Sequence, residues 1–115
     1  MLEIQKKLTQ VNRTIANSRK IKYIVIHYVG AVSSAKNNVD YFYSEKRNAS
    51  AHYFVDEKEI WQCVDDSNIS WHCEGSKEYF NDCRNKNSIG IELCCKKMKR
   101  GIGILKNKQY KMLLN

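Results

Sequence analysis

Apolar positions fall into short runs divided by polar stretches, and the spacing inside each run predicts an element. The run "KYIVIHYV", 22–29, is β-branched and nearly all apolar, with charge before it and Gly30 after it. It reads as a central strand buried on both faces. In "SSAKNNVDYFYSEKR", Ser33 or Ser34 can cap a helix that carries Val39, Phe42 and Tyr43 on one face. The runs "AHYFVD" and "EIWQCVD" flank a charged turn at Glu57–Lys58 and read as an antiparallel hairpin. Residues 66–86 are polar and rich in Ser, Asn, Gly and Asp, which predicts a long surface loop. Then "SIGIELC" forms another buried strand. The order β-α-β-β-loop-β predicts an α/β or α+β fold on a sheet of mixed direction, without repeats or linkers.

At 115 residues the chain is the size of one small domain. The formal charge of +8 suggests nucleic acid, but its distribution argues against that. Residues 1–95 hold thirteen Lys/Arg and twelve Asp/Glu, whereas residues 96–115 hold seven Lys/Arg and no acid. The folded part is nearly neutral, and the basicity belongs to the end of the chain. "MLEIQKKLTQVNRTIANSRK" has no apolar core of a signal peptide, and no stretch approaches a membrane span. The expectation is a soluble protein kept in the cytoplasm until something else releases it. Five cysteines, Cys63, Cys73, Cys83, Cys94 and Cys95, make an odd set without paired CxxC spacing. That predicts mostly reduced thiols, with Cys73–Cys83 as the one pair that could bridge the loop.

Five residues carry candidate chemistry. His27 interrupts an apolar strand at its C-terminal end beside a glycine, the kind of edge where sheet proteins place ligand-binding groups. On this residue alone the preferred reading is a buried histidine satisfied by a backbone carbonyl. Glu92 is the single acid in "IGIELC", and a buried carboxylate must be paired, hydrated or bound to a cation. Its alternative is an edge glutamate facing water. Trp71 and His72, in "SWHCEG", either floor a binding groove or pin the loop to the sheet. His52 alternates with Tyr53 and points either to the cleft or into a helix-packed core.

Together the motifs "KYIVIHYVG", "SAHYFVDEKEIWQCVDD", "SWHCEG" and "NSIGIELC", in that order and spacing, closely resemble the type 2 zinc-dependent N-acetylmuramoyl-L-alanine amidases. That class includes phage endolysins, bacterial autolysins and the related peptidoglycan-recognition proteins. The similarity covers roughly residues 5–95, and four ordered motifs are far more specific than one. The resemblance implies an α/β fold, a mixed central sheet flanked by helices, with a peptidoglycan groove across one face. It also implies hydrolysis of the amide joining the lactyl group of N-acetylmuramic acid to L-alanine. His27 occupies the position of a zinc ligand, and Glu92 that of the general base found in part of the family. Trp71 and His72 match the family's "WH" loop and would contact glycan or stem peptide. His52 is given a substrate-contact or structural place rather than a catalytic one. Peptidoglycan is the implied partner, with a monomeric chain acting at the cell wall.

The sequence also departs from that pattern. A catalytic zinc takes three protein ligands and keeps one position open. The family takes its second and third from a later histidine and an aspartate or cysteine near a proline. After Glu92 this chain has no histidine, aspartate or proline, and its later thiols are Cys94 and Cys95. Adjacent strand residues alternate in direction, so at most one of the two faces a cleft. The zinc site is expected to be incomplete. A back-translation of the tail read one frame over, from inside the codon for Met98, resembles the family's continuation: a Gly-Asn turn, an aromatic strand and an amphipathic helix. Residues 1–95 are therefore expected to form the N-terminal portion of an amidase domain. Residues 96–115 are expected to be a basic tail outside the family fold, the product of truncation or a frameshift. The alternative function is a non-catalytic peptidoglycan-binding module. A third class, a small Cys/His zinc protein binding nucleic acid, fits neither the cysteine spacing nor the neutral folded part.

Overall fold

The computed structural model describes residues 2–73, 82–95 and 110–113. Six strands form one mixed sheet: β1 (Ile4–Lys6), β2 (Tyr23–Val32), β3 (Tyr53–Val55), β4 (Ile60–Gln62), β5 (Ser88–Cys95) and β6 (Tyr110–Leu113). Helix α1 (Ala35–Tyr43) follows β2. The strand order is β1-β4-β3-β5-β2-β6. β5 runs parallel to both β2 and β3, while β3–β4 and β2–β6 are antiparallel. Among the described residues, no helix is long and apolar enough to cross a membrane.

Local chemistry accounts for the element boundaries. Ser34 caps α1, its hydroxyl accepting from Asn37 N–H at 3.1 Å. Asp56 joins two elements: Oδ2 accepts from the first helical amide, Ala35 N–H, at 2.8 Å. Its Oδ1 accepts from Lys58 and Glu59 N–H at 2.8 and 2.7 Å, closing the hairpin turn. One carboxylate thus satisfies the orphan donors of a helix end and a turn together.

β2 extends past Gly30, where the sequence placed a turn. Gly30 adopts φ 81°, the register shifts between Tyr28 and Val32, and pairing resumes at Val32 with Cys95. Glycine reaches positive φ without steric cost, so the strand bulges there instead of ending. The expectation of burial on both faces is also modified. Tyr23, Val25 and His27 are buried, whereas Ile24, Ile26 and Tyr28 on the opposite face are half-buried.

Register partners share a face, and this decides where the core and the site lie. Val25 pairs with Gly90, His27 with Glu92, and Phe54 with Glu92 from the other side. At one end of this face, α1 packs Ala35 and Val39 over Phe54, Ala51, Cys63 and Cys94, with Phe42 stacked on Phe54 at 5.4 Å. At the other end, Tyr23 and Val25 pack with Cys73 and Cys83 from the long loop. His27 and Glu92 lie between the two clusters. Cys63, Cys73, Cys83 and Cys94 are buried.

The long loop is tied down at both ends. Thr14 and Ile69 exchange a pair of backbone hydrogen bonds at 2.9 Å, and Asn85–Asn87 form a 3₁₀ turn leading into β5. Its middle, residues 74–81, lies outside the described residues. So does most of the basic tail, 96–109, with the expectation attached to it. Residues 110–113 pair with Tyr23–Ile26 of β2, adding an edge strand that the hydrophobic pattern did not mark.

Candidate active site

His27 and Glu92 face one cleft of about 330 Å³ whose wall includes Asn38, Phe42, Trp71 and His72. The structure therefore brings together four of the five residues singled out in the sequence. They arrive from three segments, β2, β5 and the loop, so sheet order and loop anchoring do the assembling.

Glu92 sits between His27 and Phe54 on neighbouring strands. Burial disfavours its charged form and pushes the carboxyl up from 4.5 to about 7. A carboxyl so placed exchanges a proton near neutrality, which suits a general base. Burial acts in the opposite sense on His27, lowering it from 6.5 to about 4. His72 is lowered to about 2, by burial first and then by His27, His52 and Arg19.

His72 is held on every side. Its amide and that of Cys73 both donate to Asn85 Oδ1, at 3.0 and 2.9 Å. Its ring lies directly on Gly90: a Cβ there would come within 2.6 Å of the imidazole Cγ. Nδ1 is 3.0 Å from His27 Nε2, and Nε2 is 2.9 Å from Ser88 Oγ. Trp71 is stitched in place as well, its amide donating to Ser50 Oγ at 2.9 Å and its indole to Thr14 Oγ1 at 2.8 Å.

His52 does not reach the cleft. It is fully buried, and its Nδ1 accepts from Gly90 N–H at 3.1 Å and lies 2.9 Å from Ser70 Oγ. On the other side of the ring, Nε2 lies 2.9 Å from Asn68 O and 3.0 Å from Arg19 Nη2. This ring joins β5 to the loop, so its place is structural, and the substrate-contact alternative is not what the geometry provides. Arg19 supports the same junction, donating to Asp66 O at 2.8 Å and Ser88 O at 2.9 Å.

Asn38, Ser88, Asn85 and Gly90 were not singled out by the sequence. Gly90 carried a usable signal, since glycine inside a strand marks close approach by another group. The polar loop residues carried none, because hydrogen-bond partners across a fold leave no periodicity.

A zinc ion would need two further protein ligands beside His27. Among the described residues no group of three or more His, Cys, Asp or Glu is placed to hold a metal. Cys94 is spent in the core under α1, 3.4 Å from Asn38 Nδ2. The described residues therefore do not fit a catalytic zinc.

The sequence model of N-acetylmuramoyl-L-alanine amidase matches residues 17–113. The chain belongs to that amidase family. It is similar to the N-acetylmuramoyl-L-alanine amidase CwlA of Bacillus subtilis (strain 168), 32% identical over 81 residues, covering 70% of this chain and 29% of that protein. It is also similar to endolysin PlyTW of Staphylococcus phage Twort, 35% identical over 75 residues, covering 64% of this chain and 15% of that protein. The structure of PlyL aligns over 81% of this chain and 58% of its own, with a TM-score of 0.67 and 27% identity. The chain thus spans less than a third of the length of these curated relatives.

Proposed function

We propose that this chain recognises the junction between N-acetylmuramic acid and L-alanine in peptidoglycan and hydrolyses that amide, with Glu92 as general base. One observation carries the reading: Glu92 is a half-buried carboxyl pushed up to about 7, in register with His27 at the floor of a cleft walled by Trp71 and His72. In its ionised form Glu92 takes a proton from water as the water attacks the carbonyl. It then returns that proton to the alanine nitrogen as the amide breaks. Trp71 offers a fixed apolar wall for the sugar or the stem peptide. His27 is the position for a metal ligand, and no step is assigned to a metal because the described residues do not complete the set. The site of action is the cell wall.

A second reading has its own observation. His27 Nε2 is engaged by His72 and the three-ligand set is lacking among the described residues. That favours a module that binds muropeptide without cutting it.

One experiment separates the two. The purified chain is incubated with cell walls, and both sedimentation and the release of new alanine amino termini are measured. The first reading expects both, with release lost and sedimentation kept in Glu92→Gln. Sedimentation without release in the parent chain supports the binding module, and the absence of both overturns the cleft as a peptidoglycan site.

A further inference from the structure

A partly buried hydrogen-bond chain runs from the cleft to the backbone, and its directions can be assigned without seeing a hydrogen. Ser88 Oγ lies 2.7 Å from Arg84 O. A carbonyl only accepts, so the single hydroxyl proton of Ser88 points at it. Ser88 Oγ must then accept from His72 Nε2, 2.9 Å away, which puts the proton of His72 on Nε2. His72 Nδ1 carries a lone pair and accepts from His27 Nε2 at 3.0 Å. His27 is thereby also the Nε2–H form, with its own lone pair on Nδ1. Gly90, with no Cβ, leaves the space on β5 that the His72 ring occupies. Ser88 itself is fully buried, so water does not compete for its hydroxyl.

We propose that Ser88 is a positioning residue that acts through His72 to fix which nitrogen of His27 presents its lone pair. A group outside the cleft would then decide how His27 meets an electrophile, a donor or a cation. The carbonyl of Arg84 begins this relay, and the 3₁₀ turn after it sets that carbonyl in place. Alternatives for the same cluster are weaker: Cys73 Sγ, 3.8 Å from Ser88 Oγ, is too long and too poor an acceptor to redirect the hydroxyl. The inference rests on the proposed reading only in taking His27 as a cleft residue.

The test is spectroscopic and needs no turnover. Long-range ¹H–¹⁵N correlation on the ¹⁵N-labelled chain reports the protonated nitrogen of each imidazole. In the parent chain both His72 and His27 are expected as Nε2–H. Ser88→Ala should move both toward mixed tautomers, by about a tenfold change in ratio, the worth of one buried hydrogen bond. Ser88→Thr, which keeps the hydroxyl, should restore the parent pattern. In a His72→Phe background, Ser88→Ala should leave the His27 signals where they are. The proposal is overturned if parent His72 carries its proton on Nδ1, or if a folded Ser88→Ala chain leaves both rings unchanged. Should Ser88→Ala fail to fold, the parent tautomers and Ser88→Thr decide alone. Absence of amide cleavage in the parent would count against the proposed reading and would not touch this result.

Discussion

His27 on β2 and Glu92 on β5 are register partners in a parallel pair, so their side chains leave the same face of neighbouring strands. Adjacent strands lie about 4.8 Å apart, which holds the two groups together by backbone geometry rather than by a bond between them. A slip of one residue would send one of them to the opposite face. Ser88 pairs with Tyr23 and Gly90 with Val25 in the same register, so the support under His72 depends on it too.

The first prediction concerns metal. With His27 as the candidate ligand and no three-ligand group among the described residues, zinc should bind weakly and fall well below one per chain on dialysis. His27→Ala should remove what remains. Stoichiometric zinc by elemental analysis after dialysis would mean that residues outside the described ones complete the site.

The second concerns Glu92. Its carboxyl at about 7 predicts a rate of amide cleavage that climbs as pH rises through neutrality, and Glu92→Gln should lower the rate by roughly 10²–10⁴-fold. Stability has the opposite slope. The folded state holds this proton between 4.5 and about 7 while the unfolded state releases it, so the contribution is full below 4.5 and lost as pH rises through 7. Above that window Glu92→Gln should be more stable than the parent, by at most about 3 kcal/mol in denaturant titrations.

The third concerns acid. His27 and His52 at about 4 and His72 at about 2 are neutral in the folded chain, against 6.5 when unfolded. Their contribution is complete above 6.5 and is lost as pH falls toward 4, because the unfolded state then binds more protons. Three imidazoles outweigh one carboxyl, so the melting temperature should drop between pH 6.5 and 4. A flat or rising profile over that range would show that the rings are charged in the fold.

The fourth concerns Gly90. The Cβ of Gly90→Ala would sit 2.6 Å from His72 Cγ, and His72 is held at its amide by Asn85 and at its ring by Ser88. The variant should lose about 1–3 kcal/mol of stability and disturb the His27–His72 contact. An unchanged melting temperature would mean that the ring has room to retreat.

The fifth separates a cleft residue from a structural one. His52→Ala leaves Gly90 N–H and Asn68 O without their buried partner and should cost about 2 kcal/mol or more. Trp71→Ala should weaken wall sedimentation while leaving the melting temperature within a few degrees of the parent. If the two variants behave alike, the loop is part of the core rather than the wall of a groove.

The linear pattern by itself located β2, α1, the β3–β4 hairpin and β5, though not their ends, because apolar periodicity and caps such as Ser34 are local properties. It also marked His27 and Glu92, since a polar group inside an apolar run stands out without any knowledge of the fold. Tertiary structure alone decided that β5 inserts between β2 and β3, and hence that Glu92 lies between His27 and Phe54. Alternation assigns a side chain to a face but does not name the neighbouring strand. β1 and β6, at three and four residues, are too short for a period to show. The separate fates of His52 and His72 were equally hidden. Both are histidines near aromatic residues, and only the positions of Gly90 N–H, Ser88 Oγ and Asn85 Oδ1 decide which ring is locked in the interior and which one reaches His27.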